Sequence, residues 1–131
     1  MKKLILWIRI GAIALIVLGI IHTIATVMVF PMFQNLAKEQ LSVFLFMYMA
    51  TGMGTILSGL VSVFAVGRIR EKDITAWLIL LFCASFALII GIGGIISLKH
   101  NPFAYLGLII GFTLFIPTIL IRKHYRKEHK L

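Results

Sequence analysis

Four stretches of the sequence contain no Lys, Arg, Asp or Glu: Ile10 to Ala37, Gln40 to Gly67, Ile74 to Leu98 and Asn101 to Ile121. Each is long enough to cross a hydrocarbon core, which takes about 20 residues at a helical rise of about 1.5 Å each. Four such crossings in 131 residues leave no room for a soluble domain, and a mean hydropathy of +1.09 agrees with that reading. The sequence is therefore read as one all-α integral membrane domain over residues 1–131, an antiparallel four-helix transmembrane bundle. Its expected spans are Leu4–Phe30, Leu41–Val66, Ile74–Leu98 and Pro102–Ile121.

The formal net charge of +9 would raise nucleic-acid binding in a soluble protein. Its distribution here has a different cause. Lys2, Lys3 and Arg9 lie at the N-terminal end, Arg68, Arg70 and Lys72 occupy the second connection, and Arg122, Lys123, Arg126, Lys127 and Lys130 follow the last span. The first and third connections hold only Lys38 and Lys99. Eleven cations against two is the positive-inside pattern of a multi-pass protein of the cell membrane with both termini cytoplasmic, N-in and C-in. The expected surroundings are the lipid bilayer and, beyond it, a second copy of the chain or another membrane protein; nucleic acid is excluded. Lys2 and Lys3 ahead of an apolar run also fit a signal peptide, but the run continues well past a signal core and has no clean small-residue cleavage site, so a retained first helix is expected.

Lipid offers helices no hydrophobic reason to associate, so small residues and hydroxyls at helical spacing are the packing signal. In Met47–Ser62, Ala50, Gly54, Ser58 and Ser62 recur every four residues, with Thr51, Thr55 and Gly59 as a second row beside them. Span one carries Ala12, Leu15, Gly19, His22 and Thr26 on one face; span three carries Ala84, Ala87, Gly91 and Gly94; span four carries the G-x-x-x-G pair Gly107 and Gly111. These stripes serve packing within one chain or, for Gly107 and Gly111, a dimer surface. The pair Gly93–Gly94 costs helix propensity and calls for close packing or a bend.

The connections carry their own signals. Phe33, Leu36, Ala37 and Leu41 fit a short amphipathic segment or a plain polar loop. Gly67 is a natural helix stop, Asp73 a helix cap, and Asn101–Pro102 a cap and first turn. Trp7 and Trp77 are expected at the cytoplasmic interface, and Pro117 is expected to kink the fourth span.

The strongest functional candidate is His22, the one histidine inside a span. It lies about eight residues, or about 12 Å, from the far end of span one. Tyr48, Thr51 and Gly91 reach similar depth, so His22, Thr26, Tyr48, Thr51 and Thr55 form the expected polar pocket. An ionisable side chain within a membrane is a functional candidate by default, while a neutral imidazole bonded to a neighbouring hydroxyl is ordinary interhelical glue. The second reading is favoured, because Glu39, Glu71, Asp73 and Glu128 all lie outside the spans.

That absence also limits the chemistry. A Ser/His/Asp arrangement lacks its carboxylate, and His22 and His100 sit at unmatched depths for two-histidine haem ligation. Cys83 is alone, so it forms no intrachain disulfide or redox pair. No metal and no cofactor are expected. In size and span count the chain resembles the small multidrug-resistance transporters, which use a glutamate embedded in the first span where this chain has His22. The layout is also similar to that of many small four-span bacterial proteins, which implies a bacterial inner membrane. The leading expectation is a noncatalytic membrane protein acting through partner proteins or lipids. The alternatives are a dimeric small-molecule or ion transporter with a pocket at His22, and a membrane enzyme or cofactor binder using His22 and Tyr48.

Overall fold

A computed structural model describes residues 1–33, 35–97, 99–100 and 102–128. Four helices make up the chain: α1 (Lys2–Val29), α2 (Lys38–Arg68), α3 (Ile74–Ser97) and α4 (Pro102–Glu128). No strand occurs among the described residues. All four are long and apolar enough to cross a bilayer, which makes this a multi-pass membrane protein by length and composition. Helices suit that solvent because each satisfies its own backbone hydrogen bonds.

Close approaches at glycine show the topology. Along α1 and α2, Gly59 meets Ala12 and Ile16, while Gly52 meets Gly19 and Thr23, so rising numbers in one helix oppose falling numbers in the other. The same reversal joins α3 to α4, where Gly91 faces Leu108 and Gly111 faces Leu88. It also joins α1 to α4, where Gly11 meets Leu114 and Gly107 lies near Leu18. The helices thus form a closed antiparallel ring. Its charged end carries the start of α1, the α2–α3 connection and the end of α4; its far end carries the two other connections.

Several boundaries differ from expectation. Gly67 does not stop α2: the helix runs to Arg68 and tightens into a 3₁₀ turn over Ile69–Glu71. Lys72, at φ 57°, takes the left-handed conformation that a glycine would normally supply. Asp73 does cap α3, its Oδ1 accepting from Thr75 N–H at 2.8 Å and Ala76 N–H at 3.2 Å, and its Oδ2 lies 3.2 Å from Arg68 Nε. α1 gives way after Val29 to a 3₁₀ turn over Phe30–Phe33 containing Pro31, and α2 begins at Lys38, so Leu36 and Ala37 belong to a connection and Leu41 to α2's first turn. α4 continues across Pro117 and through Arg126 to Glu128, well past Ile121, because the basic run Arg122–Lys127 continues the helix. Asn101 and Lys130 lie outside the described residues; the short turn before α4 is tied by Tyr105, whose hydroxyl donates to the Lys99 carbonyl at 3.1 Å.

The most completely buried large side chains lie toward the charged end. Ile8, Ile69 and Ile121 have no exposed surface, and Leu80 and Leu114 keep 1% each. Trp77 belongs to this core and not to an interfacial belt: it is 3% exposed, and its Nε1 donates to the Thr118 carbonyl at 2.8 Å. The Arg122 guanidinium caps the ring at 4.4 Å from its centroid, a cation–π contact. Trp7, by contrast, is exposed on α1.

Candidate functional site

Small residues set the spacing of the helix pairs from the middle of the bundle to its far end. Gly52 and Gly59 of α2 are buried, and a methyl group on either would collide with backbone or side-chain atoms of α1. On the other side, a methyl on Gly91 would lie 2.7 Å from the Leu108 Cα of α4. The pairs α1–α2 and α3–α4 are each drawn tight, and a cavity of about 120 Å³ remains between them. Leu18 and His22 of α1 and Tyr48, Thr51 and Thr55 of α2 supply one wall. Ile90, Gly91 and Gly94 of α3 with Ala104 and Gly107 of α4 supply the other.

The polar groups all lie on the α1–α2 wall. His22 and Tyr48 stack with ring centroids 4.4 Å apart and an interplanar angle of 14°, an offset aromatic arrangement worth about 0.5–1.5 kcal/mol beyond its burial. Phe44, one turn from Tyr48 on α2, packs against the phenol at 5.1 Å and helps to fix it. The His22 Nε2 atom is buried and has no hydrogen-bond partner. Leaving such a group unpaired costs about 1–3 kcal/mol.

The threonine hydroxyls of this wall have already committed their protons. Thr51 Oγ1 donates to the Met47 carbonyl at 2.8 Å, and Thr55 Oγ1 to the Thr51 carbonyl at 2.7 Å. Thr23, Thr26, Ser62, Thr113 and Thr118 make the same bond to the residue four positions earlier. Hydroxyls on the faces expected to pack, those of Thr26, Thr51, Thr55 and Ser62, were read as a helix-association signal; their protons instead stay within their own helices. Each hydroxyl oxygen keeps its lone pairs, so Thr51 and Thr55, which line the cavity, retain acceptor capacity.

Four of the five expected pocket residues thus come together: His22, Tyr48, Thr51 and Thr55. Thr26 does not line the cavity; it lies one turn beyond, buried, with its hydroxyl on the His22 carbonyl at 3.0 Å. The expected packing residues divide. Gly91, Gly94, Gly107 and Gly111 sit in the α3–α4 contact, and the first three also line the cavity. Gly54 and Ser58 are only half-buried and Ala50 is exposed, so the tight α2 face is that of Gly52, Thr55 and Gly59. Gly93 has nothing within 4 Å of where a side chain would begin, so close packing does not explain it.

No charged side chain lines the cavity, and among the described residues no three His, Cys, Asp or Glu gather into a metal-binding group. Comparison with known proteins adds nothing to this geometry. No family model, no curated protein and no solved structure matches the chain. The functional reading rests on the chain's own residues.

Proposed function

We propose that this protein acts noncatalytically in the cell membrane, by holding a small uncharged hydroxyl-bearing group in the cavity at His22. One observation supports the reading: His22, whose buried Nε2 has no hydrogen-bond partner, lines a small cavity together with Thr51 and Thr55, whose hydroxyl oxygens keep acceptor capacity. A hydroxyl group can donate to a threonine oxygen and also accept from or donate to the imidazole, whichever tautomer is present.

The charge distribution supports a placement with both termini and the α2–α3 connection in the cytoplasm. The cavity then lies in the half of the bilayer away from the cytoplasm. Packing toward the charged end argues against transport. Ile8, Leu80, Leu114 and Trp77 fill the bundle between the cavity and that end, each at 3% exposure or less. A site closed on one side binds and retains a ligand, and the protein passes its state to lipids or to a neighbouring membrane protein.

The test is thermal unfolding of the protein in detergent with and without 1,2-propanediol. A ligand that binds only the folded state raises the midpoint, and a rise of several degrees is expected for the wild-type chain. Thr51→Phe, which fills the cavity from α2, abolishes that rise without lowering the ligand-free midpoint. An equal rise in both proteins would refute the reading.

A further inference from the structure

The seam between α2 and α3 is built differently from the others. Backbone contact at glycine draws α1 to α2 and α3 to α4, whereas Gly54, the glycine of α2 that faces α3, meets only the ring of Phe86. Toward the charged end this seam opens into a groove of about 370 Å³. Val61, Phe64 and Ala65 of α2 and Ile79 of α3 make it apolar, and Arg68 and Asp73 stand at its end, where α2 turns into α3. Val61 lies two helical turns before Arg68, so the groove runs inward from the turn by about 10 Å.

The charges at its mouth leave a cation facing outward. Asp73 is taken up locally: its Oδ1 accepts from the Thr75 and Ala76 N–H groups, and its Oδ2 lies 3.2 Å from Arg68 Nε. A guanidinium has five donors, and the Arg68 side chain is 68% exposed against 20% for Asp73. The carboxylate therefore orients Arg68 without covering it. Arg70 and Lys72 add two exposed cations to the same turn, against the one acid Glu71. Lys72 does so in left-handed backbone, which costs a residue with a side chain more than a glycine.

We infer that this groove seats an anionic phospholipid, its phosphate on Arg68 and one acyl chain against Phe64 and Ile79. The order of the chemistry matches that molecule: cations stand where the hydrocarbon ends and apolar surface runs inward from them, so the lipid keeps its normal orientation in its leaflet. Arginine meets a phosphate with paired N–H donors. Phe64, 78% exposed, stands out from the seam; a second helix would need small residues there for close approach, and a flexible chain does not. A zwitterionic headgroup lacks the net charge that the cations of the turn attract. The site is separate from the cavity at His22 and does not depend on it.

The experiment measures which lipid lies beside the groove, by tryptophan quenching of the full chain in vesicles of equal parts phosphatidylglycerol and phosphatidylcholine, with one of the two brominated at a time. Phe64→Trp combined with Trp7→Phe places the probe in the groove; Trp77, 3% exposed, adds little quenchable signal. The unaltered chain is the control, since Trp7 is 54% exposed in the α1–α4 groove at the same charged end. Phosphatidylglycerol is expected to associate about fivefold more strongly than phosphatidylcholine at the α2–α3 groove and no more than about twofold more strongly at Trp7. Adding Arg68→Gln to the groove probe brings its preference down to the level at Trp7. Equal preference at the two positions overturns the inference, because general attraction to a cationic end would then account for it, and so does a groove preference that survives Arg68→Gln. Loss of the preference to inorganic phosphate, but not to chloride of the same ionic strength, would assign the turn to a free anion and overturn the lipid. The comparison of the two positions leaves every charge in place, so it decides the matter even where Arg68→Gln does not fold.

Discussion

The two halves of this bundle are held together by different means. Toward the charged end, large side chains interlock and specific polar contacts close the ends: Trp77 bonds the Thr118 carbonyl, Arg122 covers its ring, and Asp73 caps α3 beside Arg68. Toward the far end, glycines bring backbones into contact in pairs, and the space between the pairs is left partly empty. In lipid, burial of apolar surface does not distinguish these solutions, since hydrocarbon surrounds the helices in any case. Shape and satisfied polar groups decide. The half built on large side chains is a finished core, and the half built on glycine contacts has kept a chamber with one unsatisfied nitrogen.

The comparison breaks most visibly at Trp77. Trp77→Ala removes the ring from the packed half and strips its partner from Arg122, and is expected to cost about 3–5 kcal/mol of folding stability in equilibrium unfolding. Trp77→Phe, which keeps most of the ring and loses the Nε1 bond, costs about 1 kcal/mol. If the alanine variant were as stable as the wild type, the charged end would not be the anchor described here.

Next come the glycines of the far half. Gly91→Ala places a methyl against the Leu108 backbone and is expected to cost about 1–3 kcal/mol, because α3 and α4 must separate. Gly93→Ala, two residues away and facing open space, changes stability by no more than about 0.5 kcal/mol. Equal effects at the two positions would contradict the α3–α4 contact.

The smallest effect concerns Asp73. The Ala76 N–H above all, then the Thr75 N–H and the Arg68 charge, hold its carboxyl below the ordinary carboxylate value. A carboxyl lowered in the folded state adds stability above its unfolded pKa, and that stability is lost as pH falls through the folded value. Stability followed by thermal unfolding should therefore be flat near neutrality and decline below about pH 4. Asp73→Asn should flatten that decline.

Much of this was legible in the sequence, and the failures have physical causes. Charge-free runs alone gave four helices, and counting residues from the far end of each run placed His22, Tyr48, Thr51 and Gly91 at one depth. The register of α2 was read only in part: Thr55 and Gly59 of the second row and Ser62 are buried while Ala50, Gly54 and Ser58 are not, because Ala50, Thr51, Gly52, Gly54, Thr55, Ser58 and Gly59 put small residues nearly all round the helix. In water an apolar stripe would have chosen among those faces; in lipid no such contrast exists, and the choice falls to the partner helix. Trp77 looked like an interfacial residue because its position near a helix end is the same whether it points to lipid or inward. The basic run after Ile121 looked like a tail because its charges mark the end of hydrocarbon, which is not the end of α4. The unpaired Nε2 of His22 had no sequence signal at all, since it depends on how the ring is placed against α2 in the folded bundle.

The most direct measurement is the ¹⁵N resonance of His22 in the labelled protein in nanodiscs, assigned against His22→Gln so that His100, His124 and His129 do not confuse it. Addition of 1,2-propanediol is predicted to shift Nε2 of His22 as it gains a hydrogen bond, and Thr51→Phe to abolish that shift. An Nε2 resonance unmoved by saturating diol, or one already hydrogen-bonded before diol is added, would contradict the account.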